Sequence, residues 1–161
     1  MTPNRKAFLD MIAFSEGTST SPVTKCNGYD VIVTGIDGKP EIFTDFSTHP
    51  FANGRPPKVI NKDGLRSDAA GRYQEMMKFW PYYQKLLRLP DFGPESQDRL
   101  AIQLIGECHA LALIDAGRFA EAINACRSRW ASLPGAGYKG QHENTIEVLH
   151  DAYLKAGGKL A

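Results

Sequence analysis

The chain is short of the features that most quickly assign a class. Its three cysteines, Cys26, Cys108 and Cys126, are an odd number at unrelated spacings, so reduced thiols are expected rather than a disulfide framework. Neither these nor the histidines stand at finger-like spacing, so no metal and no cofactor is expected. No run approaches the roughly 18–20 apolar residues of a membrane span. The opening Met1-Thr2-Pro3-Asn4-Arg5-Lys6-Ala7-Phe8 lacks the apolar stretch of a secretory leader, and the chain is therefore expected in the cytoplasm without stable membrane insertion. A net charge of +1 gives no electrostatic case for nucleic acid. Signatures of G-x-S-x-G, P-loop and catalytic-cysteine chemistry are missing. Gly135 to Gly140 spells G-x-G-x-x-G, but Pro134 disfavours the strand that a dinucleotide site needs before it. His142-Glu143 is not a zincin motif, since position 146 is Ile.

What remains is an ordinary globular composition, and 161 residues suffice for one domain with a real core. Thr2 can cap a first helix with Pro3 at its first position, running to about Ser15. Residues 28–46 change to β-branched alternation broken by Asp37-Gly38, which predicts an antiparallel hairpin returning through Glu41-Ile42-Phe43-Thr44. His49 to Gly71 is dense in Pro, Gly, Asn and charge, and is expected to be a functional flap. From Gly71 the chain reads as helical, with Tyr73, Met76, Met77 and Trp80 on one face and Pro81 restarting the helix. Pro94 opens the next helix, and Gly117 separates it from a segment carrying Phe119, Ile123, Cys126 and Trp130. Asn144 is read as the cap of a last helix, with Glu147 as its capping-box partner. The prediction is an α+β fold: a β-lobe at about 26–70, a mostly helical lobe from 1–17 and 71–161, and a cleft between them.

Glu16 carries the most information. Leu9, Ile12 and Glu16 follow one another at helical spacing, so a carboxyl group falls on an apolar stripe. Gly17 reads as a left-handed helix stop. Desolvation and the negative end of the helix dipole both favour the neutral acid there. A carboxylic acid held neutral near neutral pH is what general-acid cleavage of a glycosidic bond requires. Taken singly, a Glu at a helix end is more often structural or solvated. Tyr73 and Gln74 offer a hydroxyl and an amide for sugar groups, against the plainer reading of an ordinary helical turn. Tyr138, in the Gly-rich loop, is placed at a cleft, against the plainer reading of an interhelical connection.

The order of these segments settles more than any one of them. Arg5-Lys6-Ala7-Phe8-Leu9-Asp10-Met11, Ser15-Glu16-Gly17-Thr18, Gly28-Tyr29-Asp30-Val31-Ile32-Val33, Phe43-Thr44-Asp45, Ala70-Gly71-Arg72-Tyr73-Gln74, Ser96-Gln97-Asp98 and Trp130 to Tyr138 run collinearly almost end to end. In these stretches the chain resembles the lambda-type phage endolysins, lytic transglycosylases related in fold to the lysozyme superfamily. It departs from them at Ser19–Cys26, around Asp37-Gly38, at Phe51–Ser67 and at the C-terminus.

The resemblance implies a lysozyme-like fold, Glu16 as the catalytic acid, and cleavage of the bond between N-acetylmuramic acid and N-acetylglucosamine in peptidoglycan with a 1,6-anhydro product. Tyr73, Gln74 and Tyr138 are then expected to hold the glycan, and Tyr29 and Asp30 to line the opposite wall. Asp30 and Asp45 are the available second carboxylates. The resemblance further implies a monomer that works on periplasmic peptidoglycan strands after a separate holin has opened the membrane. A hydrolytic muramidase and a non-catalytic glycan-binding module are the competing readings.

Overall fold

The computed structural model describes residues 1–161. The chain divides into two compact units, one formed by Met1–Glu16 with Ala101–Ala161, the other by Gly17–Leu100.

The first unit is helical. Helix α1 (Pro3–Ser15) begins as expected, with the Thr2 side chain accepting from the Arg5 N–H and Pro3 in the first turn. It buries Ala7, Phe8, Leu9, Met11, Ile12 and Ala13, so it is apolar around most of its circumference rather than along one stripe. It packs against α4 (Leu111–Asp115) and α6 (Ile146–Lys155). Phe8 meets the rings of Phe119 and Tyr153 edge-on at 6.4 and 6.5 Å, and Phe119 lies on α5 (Phe119–Cys126). Asp115 ties the start of α1 to the end of α4 by accepting from Thr2 Oγ1 at 2.8 Å and Arg5 Nε at 2.9 Å. The cap of α6 is Thr145, whose hydroxyl accepts from the Val148 N–H, and not Asn144 as its spacing suggested. Thr145 holds the extended backbone a capping residue needs, while the Asn144 side chain is committed elsewhere.

The second unit carries two small antiparallel sheets instead of one. Strand β1 (Val31–Ile32) pairs with β2 (Glu41–Ile42) in the register Val31 to Ile42. The hairpin is shorter than predicted because its inner segment pairs outward: the Val33 N–H goes to Ala69 O and the Ile36 N–H to Val59 O. The expected flap contains a second hairpin, β3 (Lys58–Val59) with β4 (Arg66–Ser67). Its turn is held by Asn61 Oδ1, which accepts from the Asp63 and Leu65 N–H groups at 3.0 Å each. The predicted helix start at Gly71 is also corrected. Gly71 (φ +82°) and Gln74 (φ +53°) are left-handed, and Ala70 and Glu75 exchange backbone bonds across the resulting turn. A 3-10 turn (Met77–Phe79) leads into α2 (Trp80–Leu87), with Pro81 in its first turn. Trp80, Phe92, His49 and Phe43 form the aromatic core, with ring centroids 4.8–6.0 Å apart around Phe92. Helix α3 (Pro94–Glu107) opens at Pro94 as expected. It buries Ser96, Gln97 and Leu100 in the second unit, and Ala101, Leu104 and Ile105 in the first.

Candidate active site

Glu16 caps the C-terminus of α1. Its N–H donates to Ile12 O at 2.8 Å, and Gly17 follows at φ +72°, so the helix stops in left-handed backbone as the Gly implied. The Glu16 side chain is half-buried at the end of a helix whose last turns bury Met11, Ile12, Ala13 and Ser15. Its side-chain bond is from Ser132 Oγ, which donates to Oε1 at 2.5 Å. Burial pushes the Glu16 carboxyl up to about 7, against the smaller downward pull of the Ser132 hydroxyl.

Ser132 is itself held. Ser15 Oγ donates to Ser132 Oγ at 2.8 Å, and Asn144 Nδ2 donates to Ser15 Oγ at 3.0 Å and to Ser15 O at 3.1 Å. The Asn144 backbone N–H also donates to Ser132 O at 2.8 Å. Asn144 and Ser15 thus support the one hydroxyl, that of Ser132, which meets the carboxyl. Nothing local announces Ser132 or Asn144. Ser15 gives a faint sign, as a polar residue continuing the Phe8, Met11, Ile12 spacing.

The other residues singled out from the sequence fall differently. Tyr73 is buried, and Tyr29 is half-buried. Both hydroxyls donate to the same oxygen, Asp98 Oδ1, at 2.8 Å from Tyr29 and 2.6 Å from Tyr73. Burial and the Asp98 carboxylate push both phenols up, Tyr29 to about 12 and Tyr73 further. The sugar-holding role expected of Tyr73 does not fit that placement, because its polar end is spent inside the fold. Gln74 is spent locally, Nε2 donating to Gly71 O at 3.1 Å. Asp30 is buried, and its two oxygens accept from Thr24 Oγ1 and the Lys25 N–H, so it fastens the loop ahead of β1. Asp45 is exposed and accepts from the Ser47 N–H at 2.9 Å. It shares an open, polar depression of about 550 Å³ with Thr44, His49, Asn53 and Arg55. Tyr138 keeps an exposed ring, its hydroxyl donating to Ser128 O at 2.9 Å.

The conformation of the Gly71 turn has a long-range cause. Gln97 Oε1 accepts from the Arg72 N–H at 2.8 Å, and Gln97 Nε2 donates to Tyr29 O at 3.0 Å and Phe92 O at 2.8 Å. A Cβ on Gly71 would lie 2.4 Å from Gln97 Oε1, so only glycine fits. The Arg72 guanidinium lies 5.1 Å over the Tyr29 ring and donates to Asn27 O. The motif around Gly71 is therefore a buried scaffold.

Comparison with known proteins decides the family. The endolysin family model matches residues 6–160. The chain belongs to the endolysin family. It is 63% identical over 155 residues to the endolysin of Escherichia phage P2, covering 96% of this chain and 93% of that protein. With the endolysin of Escherichia phage lambda it shares 48% identity over 157 residues, covering 97% and 92%. Among solved structures, bacteriophage lambda lysozyme complexed with a chitohexasaccharide superposes with a TM-score of 0.89 at 46% identity, covering 100% of this chain and 98% of that one. Another structure of lysozyme from bacteriophage lambda gives 0.85 at 44% identity. The endolysin is accordingly α+β and lysozyme-like, with the two short sheets confined to Gly17–Leu100.

Proposed function

We propose that this endolysin cleaves the bond between N-acetylmuramic acid and N-acetylglucosamine in peptidoglycan by lytic transglycosylation, with Glu16 as its acid and base. The observation that carries the reading is the placement of Glu16: a carboxyl at the C-terminus of an apolar helix, met by one hydroxyl donor from Ser132, where burial pushes its pKa up to about 7. Such a group is matched to proton donation at neutral pH.

Glycosidases that hydrolyse use a second carboxylate as nucleophile or as base toward water. Asp30 is tied into its loop through both oxygens, and Asp45 is exposed and turned to its own backbone. Neither is an evident partner for Glu16, which favours a substrate that supplies its own nucleophile. Glu16 donates its proton to the glycosidic oxygen as the bond to the anomeric carbon breaks, and N-acetylglucosamine leaves with a free hydroxyl. The C6 hydroxyl of the muramic sugar then bonds to the same carbon and returns its proton to Glu16. Proximity within one sugar replaces an external reagent, and no water is consumed. The substrate's 2-acetamido group or nearby dipoles steady the positive charge that develops between the two steps.

Binding of a chitohexasaccharide by bacteriophage lambda lysozyme supports a glycan strand as the substrate. The exposed Tyr138 ring is suited to stack on a sugar. No helix is long and apolar enough to cross a membrane, so access to the wall is assigned to a separate permeabilising factor. Glu16→Gln should lower cell-wall clearing by about 10²–10⁴-fold. Mass spectrometry of the wild-type digest tests the reaction type. Anhydro-muramic ends, one water lighter than reducing ends, are expected, and a digest made only of reducing ends would identify a muramidase.

A further inference from the structure

The chain of bonds behind Glu16 has a direction, and a residue outside the endolysin's assigned chemistry sets it. Asn144 is anchored by its backbone N–H on Ser132 O, and its Nδ2 faces Ser15 O at 3.1 Å, Ser15 Oγ at 3.0 Å and Ser132 O at 3.4 Å. Two of these three are carbonyl oxygens, which only accept, so the nitrogen and not the oxygen of the amide must point there. Ser15 Oγ therefore receives a hydrogen from Asn144. Its own hydrogen has two acceptors in reach, Ser132 Oγ at 2.8 Å and Ser132 O at 3.4 Å, and the shorter bond takes it. Ser132 Oγ, receiving that hydrogen, directs its own to Glu16 Oε1.

We propose that Asn144 is a positioning residue for Glu16: through Ser15 and Ser132 its amide fixes the direction of a hydrogen-bond chain that ends on Oε1 and leaves Oε2 to carry the transferable proton. An oxygen that already accepts the Ser132 hydrogen is the carbonyl-like one of the acid, so the proton resides on its neighbour. The same direction serves the second half-reaction. Once Glu16 is a carboxylate, the Ser132 hydrogen stays on Oε1, and Oε2 is again the oxygen open to the returning proton. Were the chain reversed, Ser132 would accept from Oε1, and the proton would be held against Ser132 rather than offered to substrate. The inference rests on the reading of Glu16 as the acid.

The ionisable groups of the segments that build this corner are few. His142 Nε2 lies 3.2 Å from Asn144 Oδ1 and so touches the far end of the chain. The Glu143 carboxylate accepts from the Gly135 and Gly137 N–H groups, and the Arg127 side chain lies against Gly135. On α1 itself, Asp10 is paired with Lys6. The side-chain bond to Glu16 comes from none of these but from Ser132.

The test compares Ser132→Ala, Ser15→Ala and Asn144→Ala with wild type. The Glu16 carboxyl is titrated by carbon-13 NMR, and kcat/KM on peptidoglycan is measured across pH. Ser132→Ala removes the donor to the charged form and should raise the Glu16 midpoint by about one pH unit. Ser15→Ala and Asn144→Ala should move it in the same direction by a smaller step, the alkaline limb of the activity profile following. Ser15→Ala is the deciding variant, since it deletes one oxygen and leaves Asn144 its two carbonyl acceptors. It keeps the test intact if Asn144→Ala fails to fold. A midpoint that moves in Ser132→Ala but stays at the wild-type value in Ser15→Ala overturns the proposal and reduces Asn144 to a structural lock. Midpoints that shift as expected while the activity profile stays fixed support the chain and overturn Glu16 as the acid.

Discussion

Replacing Glu16 by Gln should stabilise the folded endolysin above neutral pH while disabling it. Burial pushes the carboxyl from its ordinary value of 4.5, which the unfolded chain keeps, up to about 7 in the fold. Below pH 4.5 both states hold the proton, and the site costs nothing. Between 4.5 and about 7 the unfolded chain releases its proton while the folded one keeps it, so stability falls as pH rises. Above about 7 the loss is complete, at about 3 kcal/mol for a gap of this size. Gln has no proton to lose, and its side-chain oxygen can still accept from Ser132. Thermal unfolding followed by circular dichroism from pH 4 to 8.5 reads the difference. For a chain of this length the gain in Tm at pH 8 should be about 6–12 °C, shrinking to almost nothing at pH 4. Parallel curves of Tm against pH for the two proteins would refute the reasoning, because Glu16 in the wild type would then lack the difference in proton uptake between folded and unfolded chain on which the acid assignment depends.

Asp45→Asn should leave wall clearing within a few-fold of wild type, since Asp45 bonds only to its own turn. Asp30→Asn should instead cost stability, about 1–3 kcal/mol by urea unfolding, because an amide opposes one of the two donors Asp30 now accepts. Gly71→Ala should lose 2 kcal/mol or more (an order-of-magnitude figure), since both the left-handed backbone and the Gln97 amide exclude a methyl group, and its melting curve should show it. Thr145→Ala should lower stability by about 1 kcal/mol as the cap of α6 is lost, with activity retained in the folded fraction.

The elements legible in the sequence were those set by short-range chemistry. Thr2 with Pro3 marked the start of α1, Pro94 that of α3, and Asp37-Gly38 the turn between β1 and β2, because capping, proline and glycine act within a few residues. Glu16 was legible for the same reason: a carboxyl on an apolar spacing next to a stop glycine is a local anomaly. Errors arose where a distant group overrode a local pattern. Tyr73, Met76, Met77 and Trp80 imitate a helical face, yet the Gln97 amide, 25 residues on, holds Arg72 in a turn. Lys58-Val59 and Arg66-Ser67 are too short and too polar to read as strands, and pairing alone defines them. Asn144 matched a capping pattern one residue from the true cap, while its amide was taken by Ser15 on another helix.

The Asp98 pair gives the endolysin an optical property. Two of its six tyrosines, Tyr29 and Tyr73, share one carboxylate oxygen and resist ionisation. A phenol free in water becomes phenolate near pH 10, with the ultraviolet absorbance change that accompanies it. Tyr29 and Tyr73 contribute only at higher alkalinity, and Tyr73 only once the Gly17–Leu100 unit opens and its hydroxyl leaves Asp98. A delayed absorbance step in an alkaline titration is therefore a label-free signal for the opening of that unit, carried by the protein's own chromophores.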